Sequence, residues 1–159
     1  MPRASGSITE VLADLASAFR DLRVRWYVFG MQALVLRGYP RATADLDVTV
    51  LLGAMPTSRL VTALGKRGFS PSFGDGAFVA ATRVLPVIHR ATGFPVDIVL
   101  GGPGLEELFA SAAKKVKVGR LQVPVPTATH LVVMRVLAGR PKDIDGRFFR
   151  RAAHVQVRP

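Results

Sequence analysis

Apolar residues fall on one helical stripe at Ile8, Val11, Leu12, Leu15, Phe19 and Leu22. That spacing predicts an amphipathic helix, and Ser7-Ile-Thr-Glu10 reads as the capping box that opens it. The helix should end near the charged turn over 21–25. The period then shortens: Trp26-Tyr-Val-Phe29 predicts a short strand stopped by Gly30. A second helix is predicted over 31–37, closed by Gly38 and Pro40. The run Arg41-Ala-Thr-Ala-Asp-Leu-Asp-Val-Thr-Val-Leu-Leu52 predicts a strand ended by Gly53. Its residues 48–52 are β-branched or apolar, as in a strand buried on both faces.

Pro56 sits at the start of a helix predicted over 57–67, with Leu60, Val61 and Leu64 on one side and Gly68 as its stop. Residues 70–76 read as a polar loop. Residues 78–88 predict a strand pair, or one strand bent at Pro86. Proline lacks a ladder donor, so an edge or a bulge is expected there. A turn at 91–93 leads to the buried strand Phe94-Pro-Val-Asp-Ile-Val-Leu100. Gly101-Gly-Pro-Gly104 breaks the chain before a short helix over 105–113. Residues 114–123 alternate as a hairpin around Gly119 and Arg120. Thr127 or Thr129 caps a last apolar helix over 130–138, with Gly139 at its end. Beyond Arg140 the pattern is weak. The sum is an α/β domain, a short mixed sheet flanked by helices, spanning 1–159. Its core is expected over about 22–123 and a helical C-terminal part over about 127–159, with no internal repeat and no linker.

Composition narrows the classes. A chain of 159 residues can bury its own core. There is no cysteine, which excludes a disulfide framework and a thiolate metal site. The first residues lack an apolar signal core, and no run approaches the roughly 20 apolar residues of a membrane span. A cytoplasmic protein with no membrane partner is expected.

Charge adds a direction. The chain carries 22 Lys and Arg against 11 Asp and Glu, a net +11. From Ser111 onward there are eleven basic residues and two acidic ones, which leaves +9 on the last 49 residues. Such asymmetry favours polyanion partners, nucleic acid first and an acidic protein second.

Three carboxylates stand out. Asp45 and Asp47 alternate onto one face at the N-terminal end of their strand. Like charges there repel, and partial burial raises the cost. A divalent cation would relieve both, since Mg²⁺ takes one or two carboxylates together with substrate phosphates. A solvated pair, or an ion pair to Arg41, fits the same pattern. Asp97 lies mid-strand among apolar residues and should be paired, metal-bound or protonated. If its strand lies beside that of Asp45 and Asp47, three carboxylates could hold two Mg²⁺ ions for in-line phosphoryl transfer. Gly30, between a strand and a helix, permits close backbone approach, and the helix N-terminus offers N–H groups to phosphates.

Taken in order, the run Gly30-Met-Gln-Ala33, then Gly38, then Arg41-Ala-Thr-Ala-Asp-Leu-Asp47 resembles the minimal nucleotidyltransferases of the polymerase-beta superfamily. The AbiEii-type toxin nucleotidyltransferases and their small relatives are most alike. Val96-Asp97-Ile98 matches the strand that carries their third Asp, and Leu137-Ala-Gly-Arg-Pro-Lys-Asp143 matches an apolar helix followed by Arg-x-Lys-Asp. The resemblance covers roughly 26–146. It implies transfer of a nucleoside monophosphate from an NTP to an acceptor hydroxyl, with Mg²⁺, two ions, or Mn²⁺ in its place. Asp45 and Asp47 would then bind both metals, and Asp97 would bind one and help activate the acceptor. Gly30, Met31, Arg41, Thr43 and Arg135 would contact the nucleotide. Lys142 and Asp143 would face the site from the C-terminal part. Three departures accompany the match: Met31 replaces a second Gly or Ser, Arg135 stands where Lys is usual, and Gly146 replaces a further Asp.

The function expected is metal-dependent nucleotidyl transfer, with RNA, tRNA above all, or a protein as acceptor. The chain could be the toxin of a toxin–antitoxin pair, with the antitoxin as a further partner. Two other classes fit parts of the chain: a weakly catalytic nucleotide- or partner-binding module, and a basic nucleic-acid-binding protein.

Overall fold

The computed structural model describes residues 4–30, 33, 36 and 45–138. The first helix, α1, spans Ala4–Leu22. It begins before Ser7, so the Ser7–Glu10 motif lies inside the helix and does not open it. The strands are β1 (Arg25–Phe29), β2 (Leu46–Leu51), β3 (Phe69–Pro71), β4 (Val84–His89), β5 (Phe94–Leu100), β6 (Lys114–Val118) and β7 (Leu121–Val125). The other helices are α2 (Thr57–Lys66), α3 (Gly76–Thr82), α4 (Leu105–Ala112) and α5 (Ala128–Ala138).

Five strands form one mixed sheet in the order β1-β2-β5-β4-β3, and β6 and β7 form a separate hairpin. Strands β2 and β5 run parallel; their outer neighbours are antiparallel. One face of the sheet is sealed. Val11, Leu12, Leu15 and Phe19 of α1 and Leu60 and Leu64 of α2 join Val28, Val48, Val50, Val96 and Ile98 in a core from which water is excluded. A core of this kind supplies most of the driving force for folding.

The opposite face is covered over only part of its length. Tyr27 and Thr49 are cross-strand partners on that face, and both are buried. Helix α4 packs against β1 and β2 there and buries Phe109. Arg25 fastens it, donating to Glu107 and to Ser111 at 3.0 Å each. The prediction that β2 would be apolar on both faces therefore holds for its middle, Val48 to Val50. Among the described residues, the α4 contacts lie toward Arg25, away from the N-terminal end of β2.

Two predicted elements differ. Residues 78–82, expected to be extended, lie in α3 (Gly76–Thr82). Asp75 caps it by accepting from the Phe78 N–H at 3.0 Å, and Arg83 ends it in the left-handed region. Within 70–76 a short strand, β3, was not anticipated. Pro86 is tolerated inside β4 because its ring faces the side where β3 has just ended. Its carbonyl accepts from the Ser72 N–H at 3.0 Å, and groups of one residue point to the same side of a strand, so the β4–β5 ladder loses nothing. Thr127, not Thr129, caps α5, accepting from the His130 N–H at 3.2 Å. The predicted helix over 31–37 is represented by Gly30, Ala33 and Leu36, which are helical; its remainder and the part beyond 138 lie outside the described residues.

Candidate active site

Strands β2 and β5 place Asp47 directly beside Asp97. Neighbouring strands lie about 4.8 Å apart, and partners in register project to the same face. Both side chains are half-buried. The row extends to Phe29 on one side and Pro86 on the other, so apolar residues flank the carboxylates along the sheet.

Asp45 stands exposed just before β2. Burial, and then repulsion from Asp45, holds the Asp97 carboxyl above its ordinary range. Gly30 closes over Asp47 from the end of β1. Its φ is +70°, and a β-carbon added there would lie 2.5 Å from Asp47 Oδ2. Any side chain at this position would strain the backbone and push the carboxylate away. Gly30, Asp47 and Asp97 thus meet at one end of the sheet, with Asp45 just before β2.

The donor set bears on the metal. Oxygen ligands, like charge and partial burial suit Mg²⁺. Yet among the described residues no three acidic, histidine or cysteine side chains cluster closely enough to hold an ion by themselves. The site fits an ion that arrives with phosphate oxygens and is held by one or two carboxylates.

Arg135 lies on α5, half-buried; this helix meets α4 through His130 and Phe109, whose ring centroids are 4.9 Å apart. Met31, Arg41, Thr43, Lys142 and Asp143 lie outside the described residues. What sequence reasoning missed is the frame around the carboxylates: the Phe29 and Pro86 flanks and the contact of Gly30 with Asp47. Only strand pairing creates these, and no local pattern encodes it.

His89 has a structural setting apart from the Asp47–Asp97 pair. It is buried, with Nδ1 2.9 Å from Thr92 Oγ1 and Nε2 2.9 Å from Asp14 Oδ2. It ties α1 to the end of β4. A hollow of about 400 Å³ opens at the other end of β2 and β5, beside Met55, Thr57, Arg83 and Glu106. Arg83 there donates to the Leu100 carbonyl at 3.0 and 2.6 Å and meets Glu106 at 3.4 Å. Its charge is already matched, and the carboxylate pair is at the opposite end of these strands.

No family model and no curated protein matches the chain. Solved structures do. The antibiotic-resistance factor ANT(2'')-Ia superposes with a TM-score of 0.62 at 12% identity, over 94% of this chain and 83% of that one. A second structure of that enzyme is a complex with adenylyl-2''-tobramycin. A nucleotidyltransferase-like protein from Paracoccidioides brasiliensis gives 0.60 at 17% identity, over 91% and 73%. The lincosamide antibiotic adenylyltransferase LnuA gives 0.57 at 14% identity, over 94% and 96%. Identities this low speak for architecture. This chain is built on the nucleotidyltransferase fold, with Asp47 and Asp97 paired on its central parallel strands.

Proposed function

We propose that the chain is a metal-dependent nucleotidyltransferase that moves a nucleoside monophosphate from an NTP to an acceptor hydroxyl. The observation that carries this is the register of Asp47 and Asp97 under Gly30, on a fold shared with adenylyltransferases. Asp47 and Asp97, with Asp45 at the rim, would hold Mg²⁺ together with the triphosphate. Bound there, the ion would neutralise phosphate charge and polarise the phosphoryl group.

The chain's own residues account for the rest. Gly30 leaves room for phosphate oxygens against the strand end, and the helix it enters presents N–H groups. Asp97 would also help to activate the acceptor hydroxyl as its proton acceptor. As the acceptor hydroxyl oxygen bonds to the α-phosphorus, its proton passes to Asp97. The bond to the β-phosphate oxygen breaks and pyrophosphate leaves. Met31, Arg41, Thr43 and Arg135 would bind the nucleotide, and Lys142 and Asp143 would complete the site from the C-terminal part.

The acceptor we favour is RNA, with tRNA first and a protein second. ANT(2'')-Ia is seen with adenylyl-2''-tobramycin. This chain carries +11, the sign that suits a polyanion. A toxin paired with an antitoxin in the cytoplasm is the setting suggested by the AbiEii-like order of motifs. Among the described residues no helix is long and apolar enough to cross a membrane.

Incubation with each α-labelled NTP, Mg²⁺ and total cellular RNA tests the reaction. A labelled RNA band is expected. Label on protein alone would move the acceptor to the protein class, and no label with any NTP would overturn the enzyme.

A further inference from the structure

Resting on the reading that the acceptor is RNA, we propose that the β6–β7 hairpin is its docking surface and leads the RNA backbone to the carboxylate end of the sheet. Lys114, Lys115, Lys117 and Arg120 are all exposed. Among the described residues none of the four has an ion-pair or hydrogen-bond partner. This differs from Arg25, Arg67 and Arg83, each of which meets a carboxylate. Unpaired cations are free to replace the counterions of a phosphate chain.

The hairpin also has two unlike faces. Val116 pairs with Val123 and Val118 with Leu121, and these turn toward the core. Lys115 and Lys117, opposite Pro124 and Gln122, turn outward. Gly119, with φ at +60°, makes the tight turn and leaves Arg120 at the tip. The alternating strand thus displays Lys115 and Lys117 on one side, about 6–7 Å apart, while Lys114 shares the face of Val116.

The tip is placed at the catalytic end. Helix α1 runs back along the sheet: Phe19 stacks on Trp26 at the start of β1, while Asp14 reaches His89. His89 pairs with Phe94, three residues before Asp97, so Asp14 already lies at the carboxylate end. Thr9, roughly 7 Å further along the helix, is the residue that a β-carbon at Gly119 would meet, at 3.5 Å. Strand β7 lies against β1, the strand that ends at Phe29 beside Asp47.

RNA binding is read by fluorescence anisotropy without NTP, as log affinity against log salt. Single-stranded RNA contributes a slope of roughly 0.7 per phosphate contact. Changing Lys115 and Lys117 to Gln should lower the slope by about 1.4, with NTP binding unchanged. The charge-matched pair Arg59→Gln and Lys66→Gln, two exposed residues on α2, should leave the slope within about 0.3. Equal losses in both pairs would mean that net charge alone is read, and the hairpin proposal fails. It also fails if the lysine variants keep the wild-type slope, or if the wild type binds no RNA at about 50 mM salt. RNA binding that depends on the hairpin in a protein that transfers no nucleotide would sink the catalytic reading and leave the docking surface standing.

Discussion

Asp47 and Asp97 are register partners on adjacent parallel strands, each half-buried. The Asp97 carboxylate loses hydration there and is repelled by Asp45, so without a cation its charge costs stability.

The cost should show in pH dependence. The folded Asp97 carboxyl holds its proton more tightly than an unfolded one, because of burial and the charge of Asp45. Between the unfolded value, about 3.9, and the raised folded value, the folded state binds more protons. Stability of the metal-free protein should therefore fall as pH rises through that window. Asp97→Asn should lose this fall and be at least as stable as wild type at neutral pH. Thermal melts from pH 3.5 to 7 check it; a wild type that gains stability across the window through Asp97 would contradict the assignment.

Gly30→Ala should damage fold and site together. A left-handed φ costs a non-glycine residue about 1–2 kcal/mol, and the new β-carbon would stand 2.5 Å from Asp47 Oδ2. Chemical denaturation should report a loss of about that size, and NTP binding should weaken at the same time. An alanine variant with unchanged stability would show that the Gly30 backbone is not as described.

Thr127→Ala removes the side-chain acceptor for the His130 N–H. A lost N-cap costs about 1 kcal/mol. Because α5 carries Arg135, NTP affinity should fall with helix content by circular dichroism. A full-strength α5 in the variant would assign the cap no role.

Much of this architecture was legible in the sequence. The stripe Val11, Leu12, Leu15, Phe19 announced α1, and the apolar run after Asp47 announced a buried strand. The alternation over 114–123 announced the hairpin, and Asp97 drew attention as a carboxylate among apolar neighbours. What stayed hidden was non-local. Gly76–Thr82 is helical through its Asp75 cap and its packing of Val79, although Phe78 and Val79 favour strands. Pro86 sits beside Asp97 through the register of β4 on β5, a fact of pairing. Nor does any local signal reveal that Gly30 and Asp47, seventeen positions apart, exclude a side chain between them.

The central claim is that Asp47 and Asp97 jointly bind an NTP with Mg²⁺. Isothermal titration of each NTP into the wild type and the Asp47→Asn/Asp97→Asn double variant, with Mg²⁺ and with chelator, tests it most directly. The wild type should bind at least one NTP at least tenfold more tightly with Mg²⁺. The double variant, folded and no less stable, should lose that gain. An unchanged Mg²⁺-dependent affinity in the double variant would contradict the account.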